Sequence, residues 1–338
     1  MKVGFDISQI AHNGGVATYT ENLTDQLSKI KSLDMIYFYS SFRKSYQGNL
    51  SNVKTFKMPP TLFEIFFNRI RKIPIEKFIG PVDIFHSSDW VQPPTNAKKV
   101  TTYHDVVPLK YSQWSSPKIV EVHKRRLKIV EKEIDMVIAV SNYTKKDLME
   151  VSSIPEEKIK VIYEAAGAQF KPQDKEKTEA FRNKYGLPED YVLAIGGIGE
   201  RRNLNRVKEA SHGFNLVVTG ETIPWVSNED LPLLYAGAKV LLYPSFYEGF
   251  GLPILEAMSC GTPVITSNSS SMPEVGGEAA IYIDPENIEE MSKNLRIVME
   301  DPLLRPELIK KGFEQAKKFS WEKCAKETFG VYQDLLNK

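Results

Sequence analysis

Residues 241–265 constrain the fold more than any other part of this 338-residue chain. The apolar run 240–243 reads as a buried strand. Gly249 and Gly251 follow in a loop whose bare backbone lets a ligand approach closely. Pro253 suits the start of a helix, Gly261, Thr262 and Pro263 end it, and residues 264–266 begin another strand. A strand, loop, helix and strand in this order belong to a parallel sheet. Such sheets bind ligands at the carboxyl ends of their strands, where free N–H groups at a helix start attract phosphate. Two carboxylates flank the loop: Glu248 lies within it and Glu256 one turn into the helix. The pattern suits an anionic, hydroxyl-rich ligand.

The same alternation runs through the rest of the chain. Strands are expected at 2–7, 35–39, 84–86, 99–103 and 136–140, with helices at 17–30 and 118–133 and a turn at Asn13, Gly14 and Gly15. Residues 167–184 are polar and proline-bearing. A second series of strands then follows at 191–195, 215–218, 240–243, 264–266 and 280–283. A chain of this length exceeds one usual domain. Two doubly wound domains are therefore expected, 1–170 and 171–320. The last helix, 321–338, carries Ala325, Phe329, Tyr332 and Leu336 on one stripe and is expected to pack back on the first domain.

Composition narrows the class. The net charge of +1 conceals 24 Lys and Arg against 18 Asp and Glu in residues 1–170, and 20 against 25 in the remainder. Only Cys260 and Cys324 are present, and the chain opens directly on a strand pattern, so a cytoplasmic location is expected. No apolar run reaches the ~20 residues that span a bilayer. Residues 62–79 interleave aromatic and aliphatic side chains with Arg69, Arg71, Lys72 and Lys77. They suit either a helix in a membrane's headgroup layer or one whose apolar face joins the core.

A second glycine loop, 194–203, ends a strand and carries Gly197, Gly199, Arg201 and Arg202. As a dinucleotide fingerprint it is incomplete, because Arg202 stands at the third glycine position. Read with the 241–265 loop, the two guanidinium groups suit a diphosphate and offset the repulsion between that anion and Glu248. There is no Asp-x-Asp pair and no His or Cys cluster at ligand spacing, so no metal is expected. His104 follows a strand directly, beside Asp105, which can fix its ring. His86 also ends a strand. No nucleophilic serine setting appears.

Glu248 and Glu256 at this spacing resemble the Glu-x7-Glu signature of retaining glycosyltransferases of family 4. The resemblance extends over nearly the whole chain: Gly14, Gly15 and residues 18–23, His104 and Asp105, residues 140–148, 197–203 and 231–235, residues 272–275 and 319–322. It implies the GT-B fold, an α/β architecture of two Rossmann-like, doubly wound parallel-sheet domains facing a cleft. The first would bind the acceptor and the second a nucleotide sugar. The similarity is greatest to mannosyltransferase-type members that build polysaccharides or lipid-linked glycans.

The resemblance also implies residue roles. Glu256 would hold the ribose. Glu248 and the amides of Gly249, Phe250, Gly251 and Leu252 would hold the donor sugar and diphosphate. Arg201 and Arg202 would bind the diphosphate, Arg202 standing where lysine is usual, with Gly197 in their loop. Gly15 would close over the phosphates, and His104 would lie near the reacting sugar. His104, Glu248 and Arg201 are thus the expected catalytic group. The implied reaction is metal-independent transfer of a hexose, mannose before glucose, with retention of configuration. GDP-mannose or a UDP-hexose would be the donor and a glycan or lipid-linked molecule the acceptor. No cofactor beyond the donor and no nucleic acid is implied, and membrane contact would be peripheral, at the inner face. A non-catalytic GT-B subunit serving another transferase is the alternative. One departure stands out: residues 203–230 are shorter than the family pattern, by a helix and a strand that contribute to the base pocket.

Overall fold

The computed structural model describes residues 1–337 apart from Asn13, Ser88 and Ile198. Asn13 of the expected 13–15 turn and Ile198 of the 197–203 motif therefore lie outside the described residues. The chain divides into two units, Met1–Glu164 with the chain from Trp321 onward, and Ala165–Ser320.

In the first unit, strands β1 (Lys2–Asp6), β2 (Asp34–Ser40), β3 (Val53–Phe56), β4 (Ile84–Ser87), β5 (Lys98–Tyr103), β6 (Met136–Ala139) and β7 (Ile159–Val161) form one sheet. Their order is β3-β2-β1-β4-β5-β6-β7, and neighbouring strands are parallel. Val3, Ile84, Val100, Val137 and Ile138 are sealed from solvent, as central parallel strands covered on both faces require. The two strands without a counterpart in the sequence reading, β3 and β7, are the sheet edges. β3 is half-buried at Val53 and Phe56 and exposed at Lys54 and Thr55, so it lacks the apolar run that marks the inner strands.

Residues 62–79 do not form one helix. Pro60–Glu64 is α-helical and Ile65–Ile70 is a π-helix, which Arg71 ends in the left-handed region at φ 52°. A short helix, Glu76–Ile79, follows. Phe63, Phe67, Ile75 and Ile79 pack on Ile36, Phe38, Phe85 and Val91, so this face belongs to the core. Leu62, Ile70 and Ile73 stay exposed.

The helix Trp321–Leu336 is integral to the first unit, against Gly15–Ser28. Its buried stripe runs through Trp321, Cys324, Ala325, Thr328, Val331, Tyr332 and Leu335. The expected stripe was slightly rotated: Leu336 is exposed, and small or polar Cys324 and Thr328 take core positions. His86 explains why a polar seam is tolerated. Its Nδ1 lies 2.6 Å from the Tyr332 hydroxyl and its Nε2 2.9 Å from Thr102 Oγ1, which in turn meets Tyr19 at 2.9 Å. Burial drives the imidazole down to about 3 with help from His104, so it is neutral, one nitrogen donating and the other accepting. His86 is thus a structural pin of the first unit.

In the second unit, β8 (Val192–Ala194), β9 (Leu216–Val218), β10 (Val240–Tyr243), β11 (Val264–Ser267) and β12 (Ala280–Ile283) are parallel in the order β12-β11-β10-β8-β9. The helix Lys175–Tyr185 precedes them, capped by the Asp174 side chain and ended by Gly186 at φ 62°. Only Phe181 is buried, so the polar sequence carries no apolar stripe to mark it as a helix. The sheet is shorter than the first because β9 leads to only one further bridge, Thr219 with Ile223, before the helix Leu231–Gly237.

Candidate functional site

In the second sheet the chain order reverses at β8, with β9 on one side and β10 on the other. At such a switch point the loops leaving the two strands diverge and open a crevice at their carboxyl ends. The loop after β8 carries Arg201 and Arg202, and the loop after β10 carries Glu248. They meet: Arg202 Nη1 lies 2.9 Å from Glu248 Oε1 and Arg201 Nη1 3.5 Å from Oε2. Glu248 is buried and both arginines are partly exposed, so one carboxylate braces two cations whose other faces reach solvent.

Each member is held by its own local structure. The Arg202 guanidinium lies 5.1 Å from the Tyr243 ring centroid. A Cβ on Gly197 would sit 3.1 Å from Arg202 Cγ, so glycine gives this side chain its path. The Phe246 amide donates to the Arg201 carbonyl at 2.9 Å, tying the loops together. Asn203, with φ 60°, donates through Nδ2 to the carbonyls of Pro244 and Pro285 at 3.1 and 2.7 Å. The Glu248 amide donates to Ser270 Oγ at 3.0 Å, and the Ser271 hydroxyl lies 2.8 Å from the carbonyls of Glu248 and Phe250. Gly249 and Phe250 are buried. Gly251, at φ 101°, makes the turn into the helix Leu252–Cys260, a conformation that favours glycine.

Glu256 projects from that helix into a buried setting, where Tyr235 donates its hydroxyl to Oε2 at 2.8 Å. Burial raises its carboxyl to about 7, against the opposing pull of Tyr235 and Arg202. The two glutamates therefore differ: Glu248 is fixed by cations, whereas Glu256 is a buried acceptor held mainly by one phenol. Tyr235 had only a motif position in the sequence, and Ser270 and Ser271 gave no signal beyond a polar run after a strand.

Residues 203–230 include an exposed Trp225, 64% accessible, whose ring lies against Gly220. A Cβ there would approach the indole to 2.5 Å.

Gly15 and His104 belong to the first unit. Gly15 opens the helix Gly15–Ser28, entered through Gly14 at φ 121°. His104 follows β5, and its Nδ1 lies 2.9 Å from Glu164 Oε1, with Tyr19 edge-on at 4.6 Å. Glu164, not the adjacent Asp105, sets the ring. Asp105 Oδ1 accepts from the Val107 amide at 2.9 Å and serves the local helix start. Burial opposes the charged imidazole, but Glu164 outweighs it and holds the histidine above its usual range. Glu164 is 60 residues away in sequence, and no local pattern links the two. Among the described residues, no three His, Cys, Asp or Glu side chains gather as a metal set.

Comparison with known proteins places this arrangement. Residues 144–315 match the model for glycosyl transferases group 1, and residues 13–166 that for glycosyltransferase family 4. The chain is 31% identical over 291 residues to the O-antigen chain mannosyltransferase B of Escherichia coli, covering 75% of this chain and 74% of the relative. It is 27% identical over 279 residues to the serotype-specific mannosyltransferase WbdA of the same organism, covering 71% of this chain but only 34% of that longer protein. In structure it resembles sucrose-phosphate synthase from Thermosynechococcus elongatus, with a TM-score of 0.81 at 19% identity over 99% of both chains. It also resembles WaaG, a glycosyltransferase involved in lipopolysaccharide biosynthesis, with a TM-score of 0.76 at 16% identity over 98% and 99% of the two chains. The chain belongs to the glycosyl transferases group 1. It has the GT-B fold and is a hexosyltransferase.

The Glu256 carboxyl links site and stability. Because its folded value lies above the ordinary 4.5, its contribution is fully favourable only below that value and is lost as pH rises to about 7. Ionising it costs on the order of 3 kcal/mol. Glu256→Gln should therefore raise the urea midpoint at pH 8 and leave it nearly unchanged at pH 4.5. Equal destabilisation at both pH values would contradict the buried-acid assignment.

Proposed function

We propose that the chain transfers mannose from a nucleoside diphosphate, GDP-mannose before a UDP-hexose, to a glycan or lipid-linked acceptor, with retention and without a metal ion. The observation that carries this reading is the Arg201–Glu248–Arg202 cluster at the crevice between β8 and β10, with Glu256 in the helix that follows. The mannosyltransferase names of its relatives favour mannose.

The residues divide the donor among them. Glu256 accepts hydrogen bonds from the ribose hydroxyls. Arg201 and Arg202 hold the diphosphate, and their charge stabilises the negative charge that grows as the sugar's C1–O bond breaks. The start of the helix Leu252–Cys260 adds its dipole to the same end. The acceptor oxygen then bonds to C1 on the face the phosphate leaves, and the acceptor's proton passes to a departing phosphate oxygen. Glu248, engaged by two guanidinium groups, holds sugar hydroxyls and is not assigned as a nucleophile. Of the first unit's residues, His104 is proposed to hydrogen-bond the sugar and Gly15 to offer a bare backbone to a phosphate oxygen. A panel of GDP- and UDP-sugars, with product configuration read by proton NMR and one arm in chelator, tests this. Turnover of a GDP-sugar with retention in chelator, falling at least tenfold in Arg201→Ala, is expected. Inversion, loss of activity on chelation, or wild-type rates in Arg201→Ala would contradict it.

Contact with an anionic membrane surface is also proposed, through exposed Leu62, Ile70 and Ile73, which sit beside exposed Arg69, Lys72 and Lys77. Among the described residues no helix is long and apolar enough to cross a membrane. Wild-type protein should sediment with phosphatidylglycerol vesicles, and Ile70→Glu combined with Ile73→Glu should release it. Equal sedimentation of both proteins would place the contact elsewhere.

A further inference from the structure

We propose that Glu164 is a positioning residue that holds His104 as an imidazolium, so that this histidine meets its ligand as a charged hydrogen-bond donor and not as a base. The inference rests on the glycosyl-transfer reading and assigns Glu164, at the carboxyl end of the first unit's body, a part in it.

The geometry is that of a carboxylate-clamped histidine. Glu164 is 4% exposed at its side chain, and its Oε1 lies 2.9 Å from His104 Nδ1. The ring is pinned from a second side by Tyr19, edge-on at 4.6 Å, and Tyr19 is itself anchored through Thr102 to His86. Nε2 has no hydrogen-bond partner among the described residues and is not sealed from solvent, so the free end of the ring is the end that can meet a ligand.

Two charge states fit such a clamp. A neutral ring donates Nδ1–H to Glu164 and offers Nε2 as an acceptor, the arrangement of a general base. An imidazolium donates from both nitrogens. The ion-pair geometry with a buried carboxylate, 2.9 Å from Nδ1, favours the second. Facing His104 are the carboxylates of Glu164, Asp89 and Asp105, all favouring its charge, while His86 beside it is neutral. Asp89 is partly offset by Arg126, 3.0 Å away, which leaves Glu164 as the dominant partner. Burial works the other way and is outweighed. A leaving diphosphate or a sugar oxygen gaining negative charge is the kind of ligand a fixed N–H cation stabilises. Proton removal from the acceptor then falls to the phosphate, in keeping with retention.

The signs of the two readings differ. If His104 works as a cation, kcat/KM falls as pH rises through its titration. If it works as a base, kcat/KM rises there. Glu256, raised to about 7, titrates in the same range, so the two readings are compared in Glu256→Gln, which does not ionise there. With only five histidines in the chain, ring-proton NMR can follow His104 directly in the resting protein, using His104→Asn to assign its signal.

Glu164→Gln keeps the shape and removes the charge. It should lower the His104 midpoint by about one pH unit or more, the scale of an opposite charge at hydrogen-bonding distance. It should also shift the alkaline limb of kcat/KM by the same amount, about a tenfold loss above the wild-type His104 midpoint with little loss below the variant's. Glu164→Asp, which keeps the charge, should restore most of the midpoint. An unmoved midpoint in Glu164→Gln, a loss equal at every pH, or a Glu256→Gln rate that climbs through the His104 titration would overturn the proposal. Absence of any donor turnover by wild-type protein would refute the transfer reading instead, while the NMR midpoints would still decide whether Glu164 holds the charge.

Discussion

The second unit is organised around one buried carboxylate placed between two guanidinium groups. Glu248 alone at the end of β10 would be a charge without water, and removing either side of such a pairing typically costs ~3–5 kcal/mol. Arg201 and Arg202 supply the counter-charge from the loop after β8, and that link joins the loops that leave the neighbouring strands β8 and β10. Asn203, Ser270 and Ser271 fix the backbones on either side, and two of them, Asn203 and Ser270, take left-handed conformations uncommon for side-chain-bearing residues. Strain concentrated around an ion cluster is what a loop built for ligand geometry, and not for folding alone, is expected to show.

The two glutamates eight positions apart end in different electrostatic settings. One is engaged by cations. The other sits in a low-polarity pocket with a tyrosine and is raised to about 7. Glu248 is occupied by its two guanidinium partners, which fits a donor held at two points. The first unit repeats the theme with His104 and Glu164, where a carboxylate sets the state of a neighbouring group.

Much of this was legible in the sequence because its causes are local. Apolar runs marked the inner strands of both sheets, and glycine, proline and paired arginines marked the loops after β8 and β10. What was not legible depends on partners distant in sequence. Glu164 lies far from His104, Tyr235 from Glu256, and Ser270 from Glu248, and none of these pairs follows a period or a short motif. Edge strands β3 and β7 escaped because an edge buries too little to show an apolar run. His86 looked like a site residue because it ends a strand. Its meaning came only from Tyr332, on a helix 246 positions away in sequence.

The account centres on the division of the donor between Glu256 and Glu248, and calorimetric titration tests it most directly. GDP, UDP and the matching sugar nucleotide would be titrated into wild-type protein, Glu256→Ala and Glu248→Ala. Glu256→Ala should weaken the nucleoside diphosphate itself by at least tenfold. Glu248→Ala should erase the extra affinity contributed by the sugar, with a smaller loss toward the nucleoside diphosphate than Glu256→Ala shows. Equal effects of the two substitutions on nucleoside diphosphate binding, or none from Glu256→Ala, would contradict the division.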